Sequence, residues 1–335
     1  MGIFRRRRRD DEEPTPAGPT APSEPAVPAV PGTDAEPDEA LPFLGVAEAR
    51  HLRALVRTAF AERGIEVSVH AGHVADDAGR QFGLWNVAAA CHQDDRGRAY
   101  WPFLVGSHVE RVLASMDAPD PFGELSPDEA AARTFVRLYE REAIPRLDGF
   151  PFREFAPGLV EMLALDLPDT VAVYDDARAE RLGGVDALRA HGLTNLHRQP
   201  VEQLERLDLP DGGGAFHVLL GESVHTASRA LLLPRLATEL TGHESGRHGW
   251  LLCVPNRHQV AWHLVRDATV IPVVQAMARF AALGFGDAPG PLSPHLFWWD
   301  GGGYQQLSRL DEDGALSIIV SPDFQRVLEE LTGGS

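Results

Sequence analysis

The sequence predicts an α+β protein of two α/β-layered units with mixed or mainly antiparallel sheets, preceded by a disordered tail rich in proline and alanine. Residues 159–167 and 170–174 are apolar or β-branched runs joined by a short Pro-Asp turn, so we expect an antiparallel pair of strands. Other predicted strands also come in adjacent pairs between helices, which favours α+β over a doubly wound sheet. Residues 1–42 show no repeating apolar face.

Residues 1–42 are predicted to be the disordered tail, because such a segment cannot bury enough apolar surface to offset its ordering entropy. Five consecutive arginines near its start are candidates for contact with an anionic membrane surface; they are Arg5, Arg6, Arg7, Arg8 and Arg9. The acidic run 10–13 follows at once and largely cancels that field. A solubilising tail is therefore the preferred interpretation.

Residues 43–118 are predicted to form a small α-β-β-α domain. Apolar residues at helical spacing indicate a first helix that Gly64 ends, and residues 65–69 alternate as a strand. A turn at 76–79 leads to a second strand at 81–87. Apolar residues spaced by three or four then continue from Trp101 to Met116, which predicts a long amphipathic helix.

Residues 119–335 are predicted to form a larger α+β domain, after a boundary rich in proline and glycine at 117–125. Ser126, Pro127 and Glu129 are typical of a capped helix start, and we expect that helix to reach about Ala143. The central strand pair and a helix from Val185 follow. The remainder is predicted to contain strands at 215–220, 250–254, 259–265, 296–299, 304–307 and 316–320. A helix is predicted at 227–240, which Pro234 must kink or divide, and further helices at 269–283 and 322–331.

The composition limits the class of protein. The formal net charge is −18, with 31 basic residues, all of them arginine, against 49 acidic ones. An acidic folded body argues against nucleic acid as the main partner, because phosphate binding relies on clustered positive charge. Two widely separated cysteines, Cys91 and Cys253, indicate a reducing, cytoplasmic environment rather than a disulfide framework. No apolar stretch approaches the ~18 residues of a transmembrane segment.

A series of short motifs runs in order between about residues 48 and 310: Ala164-Leu165-Asp166, Tyr174-Asp175, Thr194-Asn195-Leu196, Ala227-Ser228-Arg229, Val254-Pro255-Asn256, and Ser293-Pro294 followed by Asp300-Gly301. Their order and spacing resemble the YtpQ-like family of uncharacterised bacterial proteins. The chain departs from that family at Thr226, where relatives tend to have an acidic residue before the Ala-Ser pair. Since the family has no established activity, the resemblance implies a fold and a cytoplasmic location, but no reaction.

The candidate ligand-binding residues are polar residues near predicted strand ends or within these motifs: Asp166, Asp175, Asn195, Asn256 and His258. Asp166 interrupts an apolar strand, so its carboxylate needs a partner or solvent; a helix cap or an arginine is the structural alternative. We predict no catalytic residue, metal site or cofactor, since neither HExxH nor paired CxxC spacing is present. Ser223 and His225 lack the Gly-x-Ser-x-Gly elbow of a serine nucleophile.

Two functional hypotheses follow. The preferred one is a non-catalytic cytoplasmic binding or scaffold protein, whose two units form a cleft for an unknown protein or small-molecule ligand. The alternative is a hydrolase that uses Asp166 or a cluster of histidines and carboxylates in the second domain. The hydrolase hypothesis requires at least three of the five candidate residues to converge in one pocket.

Overall fold

The computed structural model describes residues 36–117, 119–144, 146–168, 170–244, 246–311 and 314–333. It confirms the predicted α+β class, because helices alternate with several sheets and every strand pairing among these residues is antiparallel. The predicted tail lies outside the described residues from 1 to 35, and so does the arginine run at 5–9.

The N-terminal unit packs three helices against a three-stranded sheet. Its elements are α1 (Val46–Ala61), β1 (Val67–Val69), β2 (His73–Asp76), β3 (Gln81–Gly83), α2 (Trp85–Gln93) and α3 (Trp101–Asp117). The apolar faces predicted from residue spacing are buried, as Leu52 and Val56 of α1 share a core with Val105 and Val109 of α3. The two amphipathic helices thus bury their apolar faces against each other.

Residues 36–42, which the sequence analysis placed in the tail, belong to this unit. The Asp38 carboxylate forms a 2.7 Å ion pair with Arg53 of α1, and it also accepts the backbone N–H groups of Ala40 and Leu41. Leu41 is fully buried. The predicted boundary was wrong here because proline-rich composition does not reveal a turn held by a side chain from a distant helix.

The predicted second strand at 81–87 was also too long. It ends at Gly83, and the chain enters α2 at Trp85. A further strand, β2, pairs with β1 on one side and β3 on the other. The run 85–89 therefore buries its apolar residues as a helix, since periodicity does not separate a short strand from a short helix.

The middle unit contains a four-stranded sheet covered by helices. Its elements are α4 (Pro127–Arg133), β4 (Thr134–Glu140), β5 (Phe152–Ala156), β6 (Leu159–Asp166), β7 (Val171–Val173), α5 (Asp176–Arg181) and α6 (Val185–Arg198). The predicted antiparallel pair is confirmed as β6 and β7. Strand β4 pairs along one edge of β6, and β5 and β7 divide the other edge between them.

The helix predicted to run from Ser126 to Ala143 was wrong beyond its second turn. The capping box of Ser126 and Glu129 is present, but α4 ends at Arg133 and β4 begins at Thr134. From Thr134 onward the β-branched and aromatic side chains favour a strand. Strand β4 pairs with β6 over its whole length.

The C-terminal unit contains a six-stranded sheet with the strand order β13-β12-β10-β11-β9-β8. Its elements are β8 (Gln203–Asp208), β9 (Ala215–Leu220), a 3-10 helix (Ala227–Leu232), α7 (Leu233–Thr241), β10 (Trp250–Cys253), β11 (Gln259–Leu264), α8 (Val270–Gly286), β12 (Phe297–Trp299), β13 (Tyr304–Gln306), β14 (Ser308–Leu310), β15 (Leu316–Ile318) and α9 (Pro322–Thr332). Pro234 lies in the first turn of α7, so the predicted division of that helix is confirmed.

The middle and C-terminal sheets share one apolar core. Leu138 of β4 and Leu159 of β6 pack in the same cluster as Trp262 of β11 and Phe297 of β12. Helices α8 and α9 cover the opposite face of the six-stranded sheet. This packing places the carboxyl end of β6 next to the segment that leads from β9 into the 3-10 helix. No helix in the described segments combines the length and the apolar character that crossing a membrane requires.

Candidate functional site

The site lies on one face of β4. Residues on a strand alternate between its two faces, so Phe135, Arg137 and Tyr139 project together, away from the core residue Leu138. The guanidinium carbon of Arg137 lies 4.9 Å from the centre of the Tyr139 ring. The Arg137 Nε atom is buried and has no hydrogen-bond partner among the described residues. A buried, unpaired N–H group is costly, so this arginine needs explanation.

Asp166 and His225 meet on the same face. Phe135 pairs with Ala164 across the β4–β6 ladder, which places Asp166 on the face of Phe135. The His225 ring stacks on Phe135, with ring centres 4.3 Å apart, and its Nε2 atom lies 3.0 Å from Asp166 Oδ1. Because a carboxylate accepts, the ring proton lies on Nε2. Nδ1 of His225 is buried without a partner in the described part of the chain.

The protonation state of His225 follows from its surroundings. Burial lowers the pKa of His225, and the Asp166 carboxylate opposes this effect. The imidazole side chain is 2% exposed, whereas that of Asp166 is 44% exposed. The pair is therefore a neutral buried imidazole that donates to a carboxylate in contact with solvent.

The turn between β10 and β11 approaches this face from the C-terminal unit and contains Asn256, Arg257 and His258. Asn256 is almost fully buried and holds the turn, because its Oδ1 accepts the backbone N–H of His258 at 2.9 Å and its Nδ2 donates to Gly284 at 2.8 Å. His258 Nδ1 contacts the Gly221 carbonyl at 3.0 Å, and its Nε2 accepts from Arg257 Nε at 2.8 Å. His258 is thus a neutral ring with both nitrogens engaged.

Arg257 connects the turn to its neighbours. Its backbone carbonyl accepts the N–H of Ala227, two residues after His225, and its backbone N–H donates to Gly290. Burial lowers the pKa of the Arg257 guanidinium, and the positive charges of Arg137 and Arg111 lower it further. Arg111 and Arg137 therefore each lie within electrostatic range of Arg257. We call Arg111, Arg137 and Arg257 the arginine junction.

The N-terminal unit reaches this junction through α2 and α3. Trp85 of α2 donates from its indole nitrogen to Ala288 at 3.0 Å, and Asn86 accepts the backbone N–H of Gly290 at 2.8 Å. The carbonyl of the same Gly290 accepts the backbone N–H of Arg257. Arg111 projects from α3 and is exposed. The arginine junction consequently receives one arginine from each of the three units.

Two of the five predicted site residues lie elsewhere and have structural partners. Asp175 caps α5 by accepting the backbone N–H of Arg178 at 2.7 Å. Asn195 of α6 donates from Nδ2 to the carbonyls of Ala131 and Thr134, which secures the end of α4. The structure places Asn256 and His258 in one turn, Asp166 in contact with His225, and Asp175 and Asn195 on the helices of the middle unit.

A pocket of about 400 Å³ opens beside His258. It is lined by Glu202, Gln203, Leu220, Gly221, Glu222, His258 and Gln259. Glu202 already accepts the backbone N–H groups of Glu222 and Ser223, which lower the pKa of its carboxyl group. This carboxylate therefore has partners without any bound molecule.

Sequence reasoning missed the residues that define the junction. Arg137 was placed inside a predicted helix, although the alternation of Phe135, Arg137 and Tyr139 was a signal for one face of a strand. His225 was considered only as part of a serine motif. Nothing in the spacing of Arg111 and Arg257 relates them to Arg137, since the three come together only through the packing of the units.

The described residues do not provide a set of metal ligands. Over the described segments, no group of three or more histidine, cysteine, aspartate and glutamate side chains is arranged to hold a metal ion. Comparisons with family models, curated proteins and solved structures give no match to this chain.

Proposed function

We propose that the chain is a non-catalytic binding protein that holds a small-molecule ligand at the arginine junction. The observation that carries this proposal is a set of three buried polar atoms that lack partners within the described residues: Arg137 Nε and Tyr139 Oη on one face of β4, and Nδ1 of the His225 ring that stacks on Phe135. Leaving a buried polar group unsatisfied costs about 1–3 kcal/mol. A bound ligand that hydrogen-bonds these groups would offset that cost.

Neither cysteine is available as a nucleophile, which supports binding over cysteine-based catalysis. Burial raises the pKa of the Cys91 thiol to about 12 and raises that of Cys253 as well, so both thiols stay protonated at neutral pH. Both cysteines are free and buried, which also supports our proposal of a cytoplasmic location. We further propose membership of the YtpQ-like family, supported by the ordered motifs between residues 48 and 310.

Native mass spectrometry on protein purified gently from its own host tests the proposal, with Arg137→Met beside the wild type. We expect the wild type to retain a small molecule that R137M lacks. Ligand-free R137M should be as stable as the ligand-free wild type or about 1 kcal/mol more stable, because the variant removes a buried unpaired N–H. A ligand-free wild type together with a destabilised R137M would overturn the proposal and make Arg137 a structural residue.

A hydrolase is the second candidate. The pocket beside His258 is lined by only one of the five candidate residues, so this candidate rests instead on the contact between Asp166 and His225. Ser223 lies two residues before His225, and its Oγ accepts the backbone N–H of His225 at 3.2 Å while donating to Gln199. A general base needs a free nitrogen within reach of the proton it removes. His225 Nδ1 is free but buried, so a substrate would have to enter the junction to meet it.

This candidate has its own test. Purified wild type is assayed against p-nitrophenyl acetate and p-nitrophenyl phosphate, with Asp166→Asn and Ser223→Ala as comparisons. Turnover that both variants reduce at least about a hundredfold would favour a hydrolase, since loss of a catalytic base or nucleophile has effects of this order. Turnover that both variants retain would exclude these residues from catalysis.

A further inference from the structure

Strand β8 (Gln203–Asp208) is an exposed edge of the six-stranded sheet. Its strand partner among the described residues is β9, in antiparallel register. The opposite edge of the sheet, β13, lies against the middle unit, where Phe155 of β5 contacts Tyr304 with ring centres 4.9 Å apart. An uncovered edge presents a row of unpaired backbone groups, which makes it a template for pairing with another strand.

Alternate residues of β8 direct their backbone groups away from β9. The N–H of Leu209, which follows the strand, donates to the Gly214 carbonyl at 2.8 Å, so the residues two and four positions before it also bond to β9. The backbone groups of Leu204, Arg206 and Asp208 therefore point outward, and within the described segments they have no hydrogen-bond partner. All three residues are exposed, so this row of donors and acceptors is open to a further strand.

The side chains of β8 indicate which strand fits this edge. Arg206 and Asp208 lie on one face of the strand, where they are 62% and 66% exposed and form an ion pair at 2.9 Å. Leu207 lies on the other face and packs, partly buried, against the core that α8 covers. When a second copy of β8 pairs antiparallel about Leu207, Arg206 of each copy lies opposite Asp208 of the other. The strand is therefore complementary to itself in charge.

We propose that two copies of the chain associate through β8 across a two-fold axis at Leu207, so that their six-stranded sheets join into one continuous sheet. Such an interface is isologous, because each contact occurs twice and the assembly closes as a dimer. The two Leu207 side chains meet at the axis and extend the apolar core from one copy to the other. On the opposite face, two arginines and two aspartates form a network, which contributes more than isolated exposed ion pairs do.

The charges of β8 also select this register over others. Pairing centred on Glu205, Arg206 or Asp208 places that residue opposite its own copy, and like charges directly opposite each other are destabilising. Pairing centred on Leu204 places Arg206 opposite Glu202. Glu202 lies before the strand, however, and its carboxylate already accepts two backbone N–H groups of the loop after β9. The register centred on Leu207 is therefore the one that pairs opposite charges within the strand.

Sedimentation velocity on the full chain, at concentrations from about 1 to 200 µM, tests the proposal. We expect the wild type to form dimers as its concentration rises. Arg206→Asp leaves only aspartates at the four charged positions, and Asp208→Arg leaves only arginines, so each variant alone should associate about tenfold more weakly or worse. An equimolar mixture of R206D and D208R should associate as a heterodimer, because every aspartate then lies opposite an arginine.

Arg153→Asp is the matched control, since Arg153 also belongs to an exposed ion pair but lies on β5, and this variant should dimerise like the wild type. Oxidative cross-linking checks the register. Leu207→Cys should form a disulfide with its own copy, because the Cα atoms of such a non-hydrogen-bonded pair lie about 4.5 Å apart. Glu205→Cys, on the same face of β8, should not, and both native cysteines are buried.

Three results overturn the proposal. The first is a wild type that stays monomeric over the whole concentration range. The second is a mixture of R206D and D208R that associates no better than either variant alone, and this comparison does not depend on how stable each variant is by itself. The third is cross-linking of E205C as readily as that of L207C, which would exclude a two-fold axis at Leu207.

Discussion

Asp166 Oδ1 lies 3.0 Å from His225 Nε2, although the two residues are 59 positions apart in the sequence. The contact joins the end of β6 in the middle unit to the segment before the 3-10 helix of the C-terminal unit. It therefore lies on the same face of β4 as Arg137 and fixes the ring against Phe135.

Asp166→Asn should lower the pKa of His225 further. Burial already lowers this pKa, and the Asp166 carboxylate is the group that opposes the shift. An asparagine oxygen still accepts the Nε2 proton but carries no charge, so protonated His225 loses its stabilising partner. NMR titration of the histidine resonances measures the change, and the His225 signal is assigned by its loss in His225→Gln. An unchanged titration of His225 in D166N would contradict the contact.

How much of this arrangement the sequence could reveal depends on the distance between the interacting residues. The β6–β7 pair was predictable because two apolar runs flank a tight turn, so the information is local. The start of strand β4 was not predictable. The alanine-rich sequence of α4 gives a helical signal up to Arg133, and the residue that pairs with Thr134 is Leu165, far along the chain. The side chains of β4 themselves favour a strand, but only the pairing with β6 marks the residue at which the helix ends and the strand begins.

The candidate site also combines residues with a local sequence signal and residues that only the tertiary fold brings together. Asp166 was identified because a carboxylate in an apolar strand must find a partner, which is a local argument. Its partner was not predictable, since His225 belongs to another unit. Asn195 and Asp175 looked equally suitable in sequence, yet each binds backbone groups at a helix end, a role that sequence motifs do not separate from ligand binding.

The stability of the protein should fall as the pH decreases below about 6.5, the ordinary pKa of histidine. Burial lowers the pKa of several histidines in the folded state: His108, His217, His225, His258, His263 and His295. The unfolded chain then binds protons that the folded chain does not, so the free energy of unfolding is highest above pH 6.5. Each such histidine contributes a loss of at most about 1.4 kcal/mol per pH unit.

Urea denaturation at a series of pH values between about 5 and 8 measures this dependence. His263→Gln should make the slope shallower, because His263 is one of the buried residues concerned. His191→Gln, which alters an exposed histidine of α6, serves as the control and should leave the slope unchanged. A free energy of unfolding that rises as the pH falls would contradict the expected sign.

Arg189→Met should destabilise the protein by about 3 kcal/mol, because it leaves Glu161 buried and unpaired. Glu161 of β6 is 5% exposed, and Arg189 of α6 donates to both of its carboxylate oxygens, at 2.5 and 3.0 Å. Urea denaturation gives the difference in free energy of unfolding. Arg153→Met is the matched control, since its ion pair with Asp186 is exposed and should contribute less than about 1 kcal/mol.

The double variant Glu161→Met with Arg189→Met sharpens this test. Replacing both partners of a buried ion pair with apolar residues removes the charges together, so most of the lost stability should return. Equal destabilisation in R189M and R153M would show that the Glu161 carboxylate reaches solvent in solution.

Gly192→Ala should destabilise the protein by about 2 kcal/mol, whereas Gly106→Ala should stabilise it by up to about 1 kcal/mol. Both glycines lie inside helices, where alanine is intrinsically preferred. A Cβ on Gly192 of α6 would lie 2.9 Å from the backbone nitrogen of Val136 and 3.0 Å from the carbonyl carbon of Phe135, so α6 would have to move away from β4. A Cβ on Gly106 of α3 would meet nothing within 4 Å.

Thermal and urea unfolding of the two variants should therefore show changes in stability of opposite sign. A gain of stability in G192A would contradict the close packing of α6 on β4. Because Phe135 and Val136 precede Arg137, the same displacement should also weaken any binding at the arginine junction.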